Sequence, residues 1–284
     1  MKKLLSSIVL VVVLLSTISV SAQQLKVPAP SPTQTIKQAF ALSEITIEYS
    51  RPGVKGRTIF GDLVPYGKIW RTGANSSTKV TFGEDVTVEG KPVKAGTYAF
   101  YTIPGKDMWT IMLYKDLTLG GDVNEYKAEN EIMRAEVKAA TSSNSVETFT
   151  INVTDIASNT CAIQLSWDKV VVSVGVKADI EEKIMKNIQT AMFEDKRPYY
   201  QAASYYYENG KDLKQALEWA NKAAELNPKA YWVMLLKAKI ELKQKDYAAA
   251  AISAQKVIDL ATEDKDDTYV GHGQKILNEA KMGK

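Results

Sequence analysis

Thr160 to Lys186 reads TCAIQLSWDKVVVSVGVKADIEEKIMK, and the period of its apolar residues changes once along the way. Ile163, Leu165 and Trp167 alternate with Ala162, Gln164 and Ser166, and Val170, Val172, Val174 and Val176 alternate with Val171, Ser173 and Gly175. Alternation of this kind belongs to half-buried strands, whose successive side chains point to opposite faces. Asp168-Lys169, between the two runs, predicts a turn or bulge. From Asp179 the pattern becomes helical, with Asp179 placed to cap the first turn, and no strand period returns after it. The chain is therefore read as α+β by domain, with the change at 178/179.

Upstream of this junction the strand period dominates. Ile45, Ile47 and Tyr49 alternate with Thr46, Glu48 and Ser50, and Phe149, Ile151 and Val153 alternate with threonines and Asn152. Between them lie Lys79 to Phe82, a hairpin in which Val86 and Val88 face Val93 across Glu89-Gly90, and two strands, Thr97 to Ile103 and Met108 to Tyr114, joined by Pro104-Gly105-Lys106-Asp107. Glu125 to Ala140 has helix-forming composition but alternates at Ala135, Val137 and Ala139, and is read as strand. Short strands at this spacing bury one face each and must close over one another, which predicts an antiparallel β-sandwich of jelly-roll type over residues 39–178. Residues 23–38 contain Pro28, Pro30 and Pro32 and are read as an extended lead-in.

Residues 179–284 are read as all-α. Tyr200 to Pro228 and Tyr231 to Leu260 resemble the tetratricopeptide repeat, whose period of about 34 residues sets small residues where paired helices touch. Such a shift carries Ser204 onto Ala238, Ala216 onto Ala250 and Ala220 onto Ala254, while Glu241 stands where an aromatic is usual and Thr262 where proline is usual. Asp267 to Lys281 is expected to cap the array. The resemblance implies a concave face that docks a protein. Tyr199, Tyr200, Tyr205, Tyr206 and Tyr207 gather there, either filling the groove between helices or contributing to binding, with at least one expected to be exposed.

The 284-residue chain has 36 Lys and Arg against 33 Asp and Glu, a net +3 that falls to +1 without Lys2 and Lys3. A balanced charge offers none of the clustered cations on which nucleic-acid affinity depends, so no nucleic-acid partner is expected. One cysteine, Cys161, allows no internal disulfide and is read as a small buried apolar residue. One histidine, His272, sits in a polar segment and is read as solvated; no metal site, catalytic residue or cofactor is expected. Residues 1–22 combine the basic start Met1-Lys2-Lys3, the apolar run IVLVVVLL and the short residues Val20-Ser21-Ala22, which predicts a signal peptide cleaved after Ala22, no membrane span in the mature chain and a periplasmic or secreted location.

Ser50 to Asn75, SRPGVKGRTIFGDLVPYGKIWRTGAN, is a poor strand and a good ordered loop system. It resembles the family of exported bacterial proteins known as domain of unknown function 2911, which carries S-R-P-x-x-K-G-R-x-I-F-G followed by L-V-P-Y-G-x-x-W-R-T-G-A-N. The resemblance extends over roughly Pro30 to Val176. It implies export and a β-rich domain and brings no established activity; where the family continues with E-A-T, this chain has Ser76-Ser77-Thr78. Two readings of the segment stand side by side. In one, Arg51, Lys55, Arg57, Arg71 and Asn75 converge on an anionic group, with Tyr66 and Trp70 as an aromatic wall for a sugar or planar ligand. In the other, the arginines tie loop carbonyls together and Trp70 is core. The expectation is a non-enzymatic envelope protein whose β-domain binds an anionic or glycan ligand and whose helical repeat docks a protein; the alternatives are a hydrolase acting on envelope or nutrient glycans, and a scaffold.

Overall fold

The computed structural model describes residues 27–192 and 197–283, in two compact units that divide between Asp179 and Ile180. The expected signal peptide lies outside the described residues. No helix among them is long and apolar enough to cross a membrane.

The first unit is a sheet of nine strands among the described residues: β1 (Thr33–Phe40), β2 (Ser43–Ser50), β3 (Thr78–Phe82), β4 (Val86–Val88), β5 (Lys91–Val93), β6 (Gly96–Ile103), β7 (Met108–Tyr114), β8 (Glu131–Thr154) and β9 (Thr160–Ala178). The order is β1-β2-β3-β6-β7-β8-β9-β4-β5, every neighbour antiparallel. This is one meander, with the β4–β5 hairpin carried to the far end beside β9. The antiparallel β-rich unit read from the period is present; two jelly-roll layers are a narrower description than this strand order supports.

Two long strands bend the sheet. Glu131 to Lys138 of β8 pairs with β7, and Ala139 to Thr154 pairs with β9, whose last residues then pair with β4. Register shifts interrupt the β8–β9 ladder on either side of Val146↔Asp168, and Asp168 is left-handed at φ 50°, its carboxylate accepting from Ser145 Oγ at 2.8 Å. A bulge adds local twist, so the irregularity read at Asp168-Lys169 is where the ladder bends. Inside the curl lies an aromatic core. Trp70 and Trp167 stack at 5.8 Å, Phe60 meets Trp109 edge-on at 5.1 Å, and Phe149 meets Trp70 at 5.2 Å. Each such pair adds about 0.5–1.5 kcal/mol beyond its buried area. Cys161 is buried in β9, and burial pushes its thiol up to about 11, as expected of an inert cysteine.

Three local expectations are corrected. Thr33 to Phe40, placed mostly with the lead-in, is the edge strand β1, paired with β2 along its whole length through a turn at Ala41 with φ 54°. The prolines end at Pro32, and the inward side of β1 carries Gln34 and Gln38 beside Ile36, so its period was weak in apolar residues. Glu125 to Ala140 is strand only from Glu131; Val123–Glu125 and Ala128–Asn130 are single 3-10 turns. Asp179 is not the cap of the following helix, whose N-cap is Ile180 without a side-chain bond.

The second unit contains α1 (Glu181–Ala191), α2 (Tyr199–Glu208), α3 (Leu213–Leu226), α4 (Tyr231–Lys243), α5 (Tyr247–Glu263) and α6 (Asp267–Met282). Asp212, Asp246 and Asp266 cap α3, α5 and α6 by accepting from backbone N–H groups of the first turn. Ala216, Ala220, Ala238, Ala250 and Ala254 are fully buried, as the repeat register requires; Ser204 is half-buried and bonds Glu208, while its neighbour Ala203 is fully buried. Helices pack closely where side chains are this small, which is why the pattern reads as hairpins. All five clustered tyrosines are half-buried and none is exposed, correcting that expectation: Tyr200, Tyr206 and Tyr207 pack on the α2–α4 core and Tyr199 on Ala223, Ala230 and Val233.

Candidate functional site

The basic segment begins where β2 ends. β8 is paired with β9 on one edge at Thr150 and Ile151, and β7 has already left its other edge at Lys138, so the backbone groups there need partners. Residues 49–54 supply them. The Tyr49 hydroxyl accepts from Ile151 N at 2.9 Å and faces Ile151 O at 3.1 Å; Phe149 N donates to Pro52 O at 2.9 Å, and Val54 N to Glu147 O at 2.7 Å. Arg51 lies along the same edge, Nε donating to Phe149 O at 3.1 Å and Nη2 to Thr150 Oγ1 at 2.8 Å. Pro52 cannot donate, and Gly53 admits the close approach: a Cβ there would sit 3.0 Å from Glu147 Oε1. The Ser-Arg-Pro-Gly stretch is thus an irregular strand substitute that uses two side chains in place of ladder amides.

The remaining expected residues separate. Arg57 is exposed but turned back on its own loop, Nε to Val54 O at 3.1 Å and Nη2 to Gly53 O at 2.6 Å. Lys55 is exposed and its backbone N donates to Glu147 Oε1 at 2.9 Å. Asn75, left-handed at φ 58°, donates to Ser31 O and Ser50 Oγ, each at 3.2 Å. Trp70 is core, its Nε1 bonded to Gly73 O at 3.1 Å, whereas Tyr66 is 39% exposed and its ring covers Gly61. Trp70 and Tyr66 therefore do different jobs. Arg51, Arg57 and Asn75 spend their donors on protein oxygens, as the tie reading requires.

Arg71 differs. Trp70 bridges to Thr102 of β6 and turns inward, so Ile69 and Arg71 on either side of it turn outward. There Ala99, Tyr101, Met112 and Tyr114 form a second apolar cluster covered by Ile69, Leu117, Leu119 and Tyr126. The Arg71 Nε is buried with no hydrogen-bond partner, and no carboxylate among the described residues pairs with this arginine. Ser77 is 3% exposed and its Oγ is likewise buried, with no partner beyond the Tyr101 hydroxyl. Thr78 N donating to Arg71 O at 3.1 Å closes the turn that carries both. The Tyr101 hydroxyl, fully buried, donates to Gly120 O at 2.8 Å. Burial raises its pKa, the Ser77 hydroxyl pulls it down by hydrogen bonding, the Asp116 charge and Tyr114 push it up, and the Arg71 charge pulls it down. Beside them Tyr114 and Tyr126 stack at 4.4 Å, and burial together with the Glu131 charge pushes the Tyr126 phenol far up. Sequence reading found Arg71 and missed Tyr101, Ser77 and the Gly120-Gly121 loop; the one available signal was the serine at 77, in the stretch where this chain departs from the resembled pattern.

The helical unit carries a separate groove of about 440 Å³ between α2, α4 and α6, lined by Tyr207, Lys239, Lys243, His272, Lys275 and Glu279 among others. Lys243 Nζ sits 4.8 Å over the Tyr207 ring and 3.3 Å from Tyr207 O. His272 is exposed, as expected of a solvated histidine. The lysines were missed because, on sequence, each reads as a solvated helix position; only the stacking of three helices brings them to one groove.

No curated protein and no solved structure matches the chain. The family described as protein of unknown function (DUF2911) matches residues 31–176, from just before the edge strand β1 to Val176 of β9, where β9 pairs with β4. That span takes in just over half of the sequence and every residue that turns the basic segment into a strand substitute, and on that match the chain belongs to the DUF2911 family.

Proposed function

We propose that this is an exported, non-enzymatic envelope protein that works by binding: its β-unit takes an anionic or glycan ligand and its helical unit docks a protein. The observation that carries the reading is the groove between α2, α4 and α6, where Lys239, Lys243 and Lys275 face a single acidic residue, Glu279. Ammonium groups gathered in a concave surface favour an acidic partner and speed its encounter in a salt-dependent way. Helical-hairpin arrays present such a surface with little rearrangement, since neighbouring hairpins hold each other in place. A segment rich in Asp and Glu is the partner chemistry this groove fits.

Fluorescence anisotropy of the mature chain with an Asp- and Glu-rich peptide, against a charge-neutral peptide of equal length, tests it. Binding of the acidic peptide alone, weakened about tenfold or more by Lys239→Glu with Lys275→Glu and weakened by salt, is the expected result. Equal binding of both peptides, or binding untouched by the reversals, overturns it. Export is tested by N-terminal sequencing of the protein from the extracytoplasmic fraction, where a chain beginning at Gln23 is expected and an intact Met1 is not.

For Arg51 and Arg57 a structural role is the better reading, supported by their bonds to Phe149, Thr150, Gly53 and Val54. A recognition role for the basic segment then narrows to Arg71.

A further inference from the structure

A folded chain pairs nearly all its buried donors, because leaving one without an acceptor costs about 1–3 kcal/mol and more when the group is charged. Arg71 Nε breaks this rule, and Ser77 Oγ, within one turn of chain, has no partner beyond the Tyr101 hydroxyl. Among the described residues no ion pair or hydrogen bond supplies the acceptor that Arg71 Nε lacks. Tyr101 has its proton committed to Gly120 O. Asp116 accepts from Thr118 N at 2.8 Å and Thr118 Oγ1 at 2.7 Å, and Asp122 accepts from Asn124 N at 3.2 Å. The guanidinium is also held in place. A Cβ on Gly121 would lie 2.6 Å from Arg71 Nη1, 3.0 Å from Cζ and 3.1 Å from Cδ, so bare backbone packs against the arginine where any other residue would push it away. A positive group fixed by packing, with its inner edge lacking an acceptor and the Ser77 hydroxyl beside it turned to no stronger partner than the Tyr101 hydroxyl, is the arrangement that receives an anionic oxygen.

We propose that Arg71 and Ser77 form an oxoanion site on the outer face of the β-sheet, beside the Gly120-Gly121 loop, that takes the carboxylate, sulfate or phosphate end of a ligand. This rests on the reading that the β-unit is the ligand-binding half. Arg71 Nε and Ser77 Oγ donate to the anion's oxygens, and Gly121 keeps the guanidinium aimed.

The test is titration of the mature protein with glucuronate, sulfate and inorganic phosphate, with glucose as the neutral control. Two readouts are followed: the arginine Nε–H resonances and backbone amide shifts in nitrogen-proton spectra, and calorimetric affinity. The expected result is that at least one oxoanion, and not glucose, moves one arginine Nε–H resonance that is missing in Arg71→Gln. Which anion does so separates a uronic acid from a sulfate or phosphate ester. Arg71→Gln should lose binding by tenfold or more while keeping a near-native melting temperature, because the guanidinium makes no hydrogen bond to the fold. Ser77→Ala should weaken binding several-fold, and Gly121→Ala should weaken it while the charge is retained, so the proposal stays testable should Arg71→Gln fail to fold. Oxoanion binding that shifts β-unit amides but is unchanged by these variants overturns the proposal and leaves the β-unit reading standing. No shift in any β-unit amide with any of the probes overturns both.

Discussion

Removing the Tyr49 hydroxyl should destabilise the β-unit far more than one oxygen atom ordinarily would. Tyr49 is 2% exposed at the end of β2, and its hydroxyl meets both backbone groups of Ile151, N at 2.9 Å and O at 3.1 Å, with Gln34 Oε1 at 3.0 Å. Tyr49→Phe keeps the ring and its edge-on contact with Phe149 at 5.8 Å, so no cavity of side-chain size opens. It leaves the Ile151 N–H and C=O, both bonded to that hydroxyl in a buried setting, without their partner. At about 1–2 kcal/mol for each group the loss is about 2–4 kcal/mol. For a unit of this size 3 kcal/mol corresponds to a fall of about 6–12 °C in melting temperature. The comparison is Tyr98→Phe, whose hydroxyl donates to Lys94 O at 2.9 Å in a part-buried bond to an exposed residue and should cost about 1 kcal/mol or less. Urea unfolding followed by tryptophan fluorescence measures both, with an unchanged denaturant slope required before midpoints are compared. If Tyr49→Phe costs no more than Tyr98→Phe, the idea that residues 49–54 stand in for a strand along β8 is wrong.

Trp70→Phe and Trp167→Phe should differ although the rings stack on each other: Trp70 Nε1 is bonded to Gly73 O at 3.1 Å while Trp167 Nε1 is buried without a partner, so Trp70→Phe should cost about 1 kcal/mol more in urea unfolding. Arg51→Ala strips two donors from β8 and should lower stability by about 2 kcal/mol, whereas Arg57→Ala, exposed and bonded only within its loop, should lower it by about 0.5 kcal/mol; equal losses would contradict the geometry. Glu241 is 4% exposed, has a buried Oε2 without a partner and lies 3.7 Å from Lys237, and burial raises its pKa above the ordinary 4.5. A carboxylate whose folded value is raised adds stability below its unfolded value and loses that contribution as pH climbs through the folded one. Glu241→Gln should therefore raise the stability of the helical unit at neutral pH, by about 1 kcal/mol, and flatten its decline above pH 4.5; a variant less stable than the parent at pH 7 would show that the Lys237 pairing outweighs desolvation.

How much of this was legible follows from which interactions are local. The alternation at Ile163 to Val176 and the helical spacing after it depend on each residue and its own neighbours, and they placed β9 and the hairpins. Asp168 could be read as a break because a charged pair interrupts apolar alternation, and the ladder does bend there. β1 was lost because an edge strand buries so little that Gln34 and Gln38 serve on its inward side. The tyrosines misled because five in a short run suggest an excess to display, whereas Ala216, Ala220 and Ala223 of α3 and Ala230 before α4 are small, buried residues that leave room for bulky rings against them. The site was legible only as a set of donors. Whether a guanidinium is spent depends on acceptors brought from about 100 positions away, as Phe149 and Thr150 are brought to Arg51, and no local pattern encodes that.

The same dependence on distant acceptors explains why one segment contains both ties and a candidate site. A strand edge that ends in Pro and Gly has too few amides to complete its partner's ladder, so long side chains with fixed donor forks must reach it, and Arg51 and Tyr49 are suited to that by length and geometry. An arginine used in this way is consumed by the fold. Arg71 stands on the opposite face because it follows a tryptophan that must point into the core, and on that face the neighbouring backbone carbonyl, Gly120 O, is already taken by Tyr101. Its burial therefore adds nothing to the sheet and carries a cost in desolvation. Since an uncharged glutamine at 71 would meet the same sheet with a smaller desolvation cost, the arginine is explained by something it binds rather than by something it supports, and the comparison of Arg71→Gln with Arg51→Ala, stability retained in the first and lost in the second, is where that argument stands or falls.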